Sequence, residues 1–251
     1  GILEIGRHLP AAPEHMAALI EGWVHWRHKL EGISTLPADH KREDVQLLAP
    51  VERPGKILGI GLNYADHAAE SRISRSNDPI WFAKTPNTVN DPYGDIEMPR
   101  VSEQLDYEGE LVAIIGRRCR NATPAEAGEA VFGYAVGNDV SVRDWQFKTS
   151  QFLLGKSFDG HAPFGPWITT ADEVDEARLA ISTRVNGEVR QSSSTASLIL
   201  TPSDMVGYLS QVMTLEPGDI IFTGTPGGIG SARKPPVWLK RGDLVSVAIE
   251  G

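Results

Sequence analysis

From Lys56 onward the chain is a succession of short apolar runs, each bounded by Pro, Gly or Asn. Such runs between turn-forming residues are typical of β-strands. Gly (25 residues) and Pro (17) make up about a sixth of the 251 residues, which favours tight turns and argues against an all-helical bundle. Asn186-Gly187, between alternating residues, predicts a hairpin turn. The candidate strands are KILGIGLNY, DPIWFAKTP, DIEMP, LDYEGELVAIIG, FGYAVGNDVSVRD, GPWITT, ISTRVNGEVRQ, DIIFTGT and DLVSVAI.

Helical patterns are few and do not alternate regularly with these strands. Residues 12–30 carry apolar side chains at three- and four-residue steps, which predicts an amphipathic helix. Segments 65–74 and 201–215 predict two further helices, the second capped by Thr201 or Ser203. Because strands dominate, we expect a strand-rich α+β fold with a few helices rather than a doubly wound α/β fold.

The first fifth of the chain lacks the repeated short apolar runs of the rest. Residues 31–54 are rich in turn-forming residues, which predicts a connector. We therefore expect a helical and linker segment over residues 1–50, followed by one large domain over residues 51–251.

The charge and cysteine content exclude several classes of protein. Asp and Glu (33) outnumber Lys and Arg (24), which gives a net charge of −9, and no stretch concentrates basic residues. A nucleic-acid partner is therefore not expected. The single cysteine, Cys119, excludes an intrachain disulfide and is typical of a reducing cytoplasm. No apolar run approaches the roughly 18 residues of a membrane span, so we expect a cytoplasmic protein without membrane association.

An acidic strip stands out in residues 105–116, LDYEGELVAIIG. On a strand, alternate side chains share a face, so Asp106, Glu108 and Glu110 would point to the same side. The same face continues as apolar Val112, and neighbouring positions on it lie about 6.5–7 Å apart. Carboxylates that enter a partly buried site repel one another unless a cation binds them. The strip therefore predicts a divalent cation site, and the alternative is a solvent-facing acidic edge strand.

A further oxygen ligand is offered by Asp139, which shares a predicted strand face with Ser141 and Arg143. Together with two Glu it makes an all-oxygen donor set, which suits Mg²⁺, Mn²⁺ or Ca²⁺ rather than zinc. Three carboxylates also leave coordination positions open for water and a chelating substrate.

Six segments, in their order along the chain, resemble the fumarylacetoacetate hydrolase family over about residues 52–251. The resemblance implies a mixed β-sandwich roll with catalytic activity, usually dimeric, so the expected partners are a second copy of the chain and a small-molecule substrate. It also implies Mg²⁺ or Mn²⁺ held by Glu108, Glu110 and Asp139, whereas Asp106 is not among the family's ligands. The segments are GKILGIGLNYADHAAE, LDYEGELVAIIG, GNDVSVRDWQ, LGKSFDGHAPFGPW, VNGEVRQ and LEPGDIIFTGTPGGIG.

The resemblance also implies roles for side chains that would otherwise be interpreted as surface groups. His67 and Glu70, three residues apart on a predicted helix, resemble a dyad in which the carboxylate orients an imidazole that activates water. Alone, the pair would indicate no more than a surface ion pair. Lys156 would be a third catalytic group, stabilising a developing enolate. The implied substrate-binding residues are Arg143, Gln146 and Thr225.

We therefore expect a metal-dependent hydrolase that cleaves a carbon–carbon bond in a 1,3-diketo acid such as an acylpyruvate. Decarboxylation of oxaloacetate-type acids and isomerisation of hydroxymuconate-type diacids need the same metal-stabilised enolate and remain alternatives. A catalytically inactive metal-binding scaffold is the non-enzyme alternative, which loss of His67, Glu70 or Lys156 would favour. Phosphoryl transfer is not expected, because the glycines of residues 224–230 match no phosphate-binding loop.

Overall fold

The computed structural model describes residues 1–70 and 78–250, with only the backbone of residues 68 and 69. Within these residues the chain forms helices and strands that are numbered here in chain order. The α-helices α1–α8 are Ile5–His8, Met16–Glu21, Trp23–Ile33, Ala65–Glu70, Pro124–Glu129, Arg143–Gln146, Leu153–Lys156 and Pro202–Val212. The strands β1–β12 are Ile57–Gly61, Ile80–Lys84, Val89–Asn90, Leu105–Asp106, Gly109–Ile115, Val131–Asn138, Ser141–Val142, Ala162–Thr170, Ala180–Val185, Glu188–Ser194, Ile220–Phe222 and Val245–Glu250. None of the described helices has the length and apolarity to cross a membrane.

The centre of the fold is a seven-stranded mixed sheet with the order β2-β1-β11-β5-β6-β8-β3. Strand β1 pairs with β11, and β3 with β8, in parallel, whereas the other neighbours are antiparallel. A second sheet, β10-β9-β12, packs against β5, and β4 pairs with β7 in a separate ladder. The strand-rich α+β fold class predicted from the sequence is confirmed.

Strand β5 is buried on both faces, which explains its continuous apolar run. On one face, Leu111 belongs to the same core cluster as Met205 of α8. On the other face, Val112 and Ile114 belong to a cluster that includes Ile20 of α2. Glu108 and Glu110, next to and within the start of this strand, are therefore attached to the buried centre of the fold.

The single helix predicted over residues 12–30 is interrupted. It forms as α2 and α3, which meet at Gly22. Gly22 has φ −89° and ψ 15°, and its N–H donates to Ala18 O at 3.1 Å, which ends α2. A Cβ at this position would lie only 3.0 Å from Cδ1 of Trp26 in the first turns of α3, so the Trp26 ring packs close to the backbone at the break.

The strand predicted over residues 105–116 is divided into β4 and β5. The ladder breaks at Tyr107 and Glu108, where the Glu108 N–H donates to the side-chain Oδ1 of Asn138 at 3.0 Å instead of a backbone carbonyl. Asp106 pairs in the ladder of β7 and not in the main sheet. The prediction that three carboxylates follow one another on a single strand face is therefore wrong for Asp106.

The strand predicted over residues 132–144 is also divided, into β6 and β7 around Asp139. The N–H of Val140 donates back to Asn138 O at 2.9 Å, and Arg143 begins helix α6, so it does not continue the predicted strand face. The strand predicted over residues 95–99 does not form. Side chains bind the backbone there instead: Asn90 donates to Asp95 O, and His161 lies 3.0 Å from Glu97 O.

Other local predictions are confirmed. Helix α4 covers the first part of the helix predicted over residues 65–74, and residues 71–74 lie outside the described residues. The hairpin turn between β9 and β10 has φ 52° at Asn186 and 81° at Gly187, the positive values that such a turn requires. The cap of α8 is Thr201, whose hydroxyl accepts an N–H from the first turn.

Candidate metal centre and active site

The three carboxylates predicted as metal ligands lie together. One oxygen atom from each of Glu108, Glu110 and Asp139 lies within 4.8 Å of the others, and all three residues are buried. The glutamates flank Gly109 at the start of β5, and Asp139 follows β6. The N–H of Asp139 donates to Glu108 O at 2.8 Å, and this bond joins the two stretches of backbone at the point where the carboxylates meet.

Three buried Lys or Arg side chains contact this acidic cluster, defined as Glu108, Glu110 and Asp139. Lys156 Nζ lies 2.6 Å from Glu108 Oε2 and 2.6 Å from Asp139 Oδ2. Lys84 Nζ lies 2.7 Å from Asp139 Oδ1. The remaining cation is the Arg143 guanidinium, whose Nη2 is 2.7 Å from Oε1 of Glu108. Two of the three carboxylates therefore have a cation at each oxygen.

Glu110 is the exception, because no Lys, Arg or His in the described part of the chain pairs with it. Its Oε2 accepts the backbone N–H of Gly224 at 2.7 Å. Burial, followed by the charges of Asp139 and Glu108, raises the pKa of Glu110 well above its ordinary value. A positive charge next to this carboxyl group would oppose that upward shift and favour the ionised form.

The pKa of Glu108 shifts in the opposite direction. Burial by itself raises the pKa of this carboxyl, but Arg143 and Lys156 outweigh burial and hold it at about 2. Burial likewise lowers the pKa of Lys156, yet Asp139 and Glu108 outweigh it, so the net shift is upward. Both partners are therefore charged at neutral pH.

Asp106 is buried outside the acidic cluster. One oxygen lies 2.8 Å from Arg143 Nε, and the two oxygens accept backbone N–H groups from Gly230 at 2.8 Å and Ser231 at 3.0 Å. Asp106 thus fixes the orientation of Arg143 and anchors the loop that begins at Gly230. This agrees with the implication that Asp106 is not a metal ligand.

The residues of the acidic cluster fit a hard divalent cation. The donor set is all oxygen, which suits Mg²⁺, Mn²⁺ or Ca²⁺. An ionised carboxylate offers about four lone-pair sites, so an oxygen that already accepts from an ammonium group can still coordinate a metal ion. Counting Asp106, the site contains four buried carboxyl groups and three buried Lys or Arg side chains, and Glu110 is the one carboxyl group among these four that pairs with none of the three.

The glycine-rich segment 224–230 binds carboxylates through its backbone. Gly228 has φ 105°, and a Cβ there would lie 2.1 Å from Arg190 O, so only glycine fits. This role was not predicted from the sequence, although several glycines directly after a strand were a signal that the backbone approaches another group closely. The three donors are Gly224 to Glu110 (2.7 Å), Gly228 to Glu70 (3.0 Å) and Gly230 to Asp106 (2.8 Å).

Helix α4 places His67 beside Glu70, with Nδ1 3.0 Å from Oε1. An ionised carboxylate only accepts hydrogen bonds, so Nδ1 donates and Nε2 of the neutral ring is left as an acceptor. Glu70 is held in turn by the Gly228 N–H, which lies 3.0 Å from both carboxylate oxygens. The dyad is thereby fixed to the glycine-rich segment.

One cavity of about 280 Å³ connects these groups. This volume is near the lower end for ligand pockets and suits a small organic molecule. Asp139 does not line the cavity but contacts Lys156, which does. The predicted site residues that line it are His67, Glu70, Glu108, Glu110, Arg143, Gln146, Lys156 and Thr225.

The predicted substrate-binding residues differ in how far their polar groups are already engaged. Arg143 Nη1 donates to Gln146 Oε1 at 2.8 Å, which leaves the amide nitrogen of Gln146 available as a donor. The Thr225 hydroxyl donates to Gly109 O at 2.9 Å and accepts from Gln191 Nε2 at 2.7 Å. Thr225 therefore shapes the wall of the cavity while its hydroxyl stabilises the start of β5.

Two residues of the site were missed by the sequence analysis. Lys84 is buried at the end of β2, and a lysine in an otherwise apolar strand was the available signal. Gln191, also buried, accepts the Gly109 N–H at 3.0 Å and donates to Thr225 and Pro226. Its position in a polar stretch of strand gave no sign of burial.

Comparisons with known proteins agree with this architecture. The family model described as Fumarylacetoacetate (FAA) hydrolase C-terminal matches residues 56–251. Oxaloacetate tautomerase Fahd2a, mitochondrial, of Rattus norvegicus is 40% identical over 257 residues, covering 100% of this chain and 81% of the relative. Fumarylacetoacetate hydrolase from psychrophilic Exiguobacterium antarcticum has a TM-score of 0.85 at 40% identity, covering 99% of this chain and 88% of that chain.

A further solved structure carries ligands that bear on the site. Maleylpyruvate hydrolase from Sphingobium sp. SYK-6, in complex with manganese(II) ion and pyruvate, has a TM-score of 0.82 at 33% identity. The superposition covers 98% of this chain and 88% of that chain. The relatives thus include a tautomerase and two hydrolases on the same fold.

Proposed function

Since the chain belongs to the fumarylacetoacetate hydrolase family, we propose that it is a metal-dependent enzyme that tautomerises a small 2-oxo acid of the oxaloacetate type. The observation that carries this proposal is the His67–Glu70 pair. It leaves the imidazole Nε2 free to accept a proton in the same cavity as the acidic cluster. The 40% identity to an oxaloacetate tautomerase along the whole chain supports the substrate type.

We propose that Glu108, Glu110 and Asp139 would hold Mg²⁺ or Mn²⁺. When bound, the cation supplies positive charge that binds the carboxylate and oxo oxygens of the substrate and stabilises its enolate form. The all-oxygen donor set supports this choice, as does Glu110, the carboxyl group of the cluster with which no Lys or Arg of the described residues pairs. The manganese(II) ion and pyruvate of the maleylpyruvate hydrolase complex support it as well.

The side chains that line the cavity then have separate proposed roles. His67 Nε2 takes the proton from the carbon beside the oxo group, and Glu70 stabilises the imidazolium through Nδ1. The imidazolium then gives this proton to the enolate oxygen, which completes the enol and restores the neutral ring, and the reverse sequence converts the enol to the keto form. Lys156 remains protonated and stabilises the negative charge that develops on the enolate oxygen. Arg143 and the free amide nitrogen of Gln146 bind the substrate carboxylate.

Hydrolysis of a carbon–carbon bond in an acylpyruvate is the second candidate, as the sequence analysis predicts. In that reaction His67 Nε2 would take the proton from a water molecule, which attacks the distal carbonyl. The likeness to maleylpyruvate hydrolase favours it. The two reactions use the same base and differ in whether the base acts on carbon or on water.

The experiment follows the purified protein, loaded with Mn²⁺ or Mg²⁺, by NMR in D₂O with oxaloacetate, an acylpyruvate and a hydroxymuconate-type diacid. Accelerated enol–keto conversion with deuterium uptake beside the oxo group, and no new carbon product, supports tautomerisation. Pyruvate plus a carboxylic acid from the acylpyruvate supports hydrolysis. Release of carbon dioxide from oxaloacetate indicates decarboxylation. A metal-loaded protein that changes none of the three acids contradicts the proposal.

Two variants separate proton transfer from metal binding. His67→Ala removes the base, so turnover should fall by about 10²- to 10⁴-fold while Mn²⁺ affinity stays within about twofold of wild type. Glu110→Gln removes a carboxylate that can ionise and bind the metal ion, so Mn²⁺ affinity should fall by about 10-fold or more, and activity with it. Calorimetric titration with Mn²⁺ measures the affinities. Equal metal affinity in the two variants would be inconsistent with the assigned roles.

A further inference from the structure

The cavity contains a cation that the acidic cluster does not use. Three Lys or Arg side chains line the cavity, and two of them, Arg143 and Lys156, are bound to buried carboxylates. The third, Lys234, is exposed, and its side chain has no hydrogen bond or ion pair within residues 1–70 and 78–250. Its charge is therefore available to a ligand.

The loop that carries Lys234 is held at both ends. Its first residue, Gly230, donates its N–H to Asp106 at 2.8 Å. Its last residue, Val237, donates its N–H to Gly230 O at 3.0 Å and so closes the loop. The two prolines that follow Lys234 fix further φ angles. Since this backbone is already ordered, binding of an anion to the ammonium group has to order the lysine side chain but not the loop.

The rest of the cavity wall offers no comparable partner. Much of it is apolar, including Ile80, Phe147, Phe152 and Ile229. Apolar side chains do not compensate for the desolvation of a charge. Within the described lining, a substrate carboxylate that lies away from the acidic cluster therefore meets one unpaired Lys or Arg, and that residue is Lys234.

From this arrangement we infer that Lys234 binds the distal carboxylate of a 2-oxo diacid and makes the site selective for diacids over monoacids. The inference rests on the proposed function, in which the 2-oxo carboxylate end of the substrate lies at the acidic cluster. An exposed ammonium–carboxylate pair contributes modestly to binding, so Lys234 should account for a preference of about 3- to 10-fold.

The test uses malate and 2-hydroxybutyrate as probes on the Mn²⁺-loaded protein. Both are 2-hydroxy acids able to chelate a metal ion, and they differ in that a methyl group replaces the distal carboxylate of malate. Calorimetric titration at fixed ionic strength gives the affinity of each probe for wild type, Lys234→Met and Lys234→Arg. Lys240→Met removes an exposed lysine that does not line the cavity and serves as the matched control.

Lys234→Met should weaken malate binding by about 3- to 10-fold and leave 2-hydroxybutyrate within about twofold, whereas Lys234→Arg and Lys240→Met should keep the preference for malate. Malate affinity that is unchanged in Lys234→Met, or equal weakening of both probes, overturns the inference. A wild-type protein that shows the Lys234-dependent preference but does not tautomerise oxaloacetate overturns the proposed reaction and leaves the assignment of Lys234 intact.

Discussion

The charge balance at Asp139 depends on two lysines from distant parts of the chain. Lys84 of β2 contacts one oxygen and Lys156 of α7 contacts the other. The sequence predicted Lys156 through a family resemblance but not Lys84. Strand periodicity predicts the face on which a side chain lies, but it does not predict which residue lies across the sheet. The partner of a buried charge is therefore the part of a site that a sequence specifies least directly.

Lys156→Met should reduce turnover by about 100-fold or more, because it removes the positive charge proposed to stabilise the enolate. Metal binding should not weaken, since the loss of one cation makes the acidic cluster more negative. Steady-state kinetics and Mn²⁺ titration measure the two effects, with Lys240→Met as a control. Turnover within about threefold of wild type would exclude the proposed role.

His161 links the protonation state of one buried ring to the stability of the fold. Its Nε2 lies 3.0 Å from Glu97 O and therefore donates, while Nδ1 is buried without a partner in the described structure. Burial lowers the pKa of His161 to about 4, compared with about 6.5 in an unfolded chain. Between these values the unfolded state binds more protons, so folding stability decreases as pH falls through this window.

Replacing this ring removes that pH dependence. Between pH 7 and pH 4, the unfolding free energy of wild type should fall by about 3 kcal/mol more than that of His161→Gln. Above pH 7, the plots of unfolding free energy against pH should be parallel for the two proteins. Urea unfolding at a series of pH values gives the two curves. Parallel curves for His161→Gln and wild type below pH 6 would contradict the argument.

Among the secondary structure elements, those bounded by strong turn signals were predicted well. The strands around Asn186-Gly187 and the helix that begins after Thr201 form where the sequence places them. The strand breaks at Glu108 and Asp139 were not predicted, although both lie at the acidic cluster. Each break depends on an interaction with another strand, such as the Asn138 side chain that binds the Glu108 N–H. A pattern within one segment does not contain that information.

Gly109 shows how the packing of two sheets constrains the acidic cluster. A Cβ at this position would lie 2.1 Å from Thr183 Oγ1 and 3.0 Å from Val247 Cγ1. Gly109→Ala should therefore destabilise the fold by about 1–3 kcal/mol and displace the flanking glutamates, which also weakens Mn²⁺ binding. Thermal unfolding and Mn²⁺ titration measure the two effects.

Two further variants identify steric overlap as the cause. Adding Thr183→Ala to Gly109→Ala removes the nearest contact and should restore part of the stability. Gly32→Ala, in helix α3 with no atom within 4 Å of its Cβ, should leave the protein unchanged or slightly more stable. If Gly109→Ala has the same Mn²⁺ affinity and the same thermal stability as wild type, close packing is not the reason that glycine is needed at position 109.

At the scale of the whole molecule, sequence patterns did not predict the order of strands in the main sheet. Strand β1 lies beside β11, which follows it by about 160 residues, and β5 separates β11 from β6. Composition and turn signals predict many strands and few helices, but pairing between distant segments is decided by how their faces pack together. The family resemblance supplied the architecture that local patterns could not.

The N-terminal segment, residues 1–50, also contributes to the hydrophobic core, which its residue composition did not indicate. Ile20 is 1% exposed and shares a core cluster with Ile57 of β1, Ile114 of β5 and Phe222 of β11. The predicted boundary near residue 50 separates two textures of sequence, whereas this cluster includes residues from both sides of it. If the cluster folds as a unit, residues 1–50 and the main domain should unfold together.

Ile20→Ala tests this coupling. Because a buried Ile is truncated in a shared core, the whole protein should lose about 2–4 kcal/mol in a single transition. Val24→Ala, at a 90% exposed position in the next helix, should change stability by less than about 0.5 kcal/mol. Urea unfolding followed by tryptophan fluorescence, to which Trp23 and Trp26 contribute, and by far-UV circular dichroism should give coincident curves. Two separate transitions, of which Ile20→Ala shifts only the first, would instead show that residues 1–50 fold independently of the sheet that carries the acidic cluster.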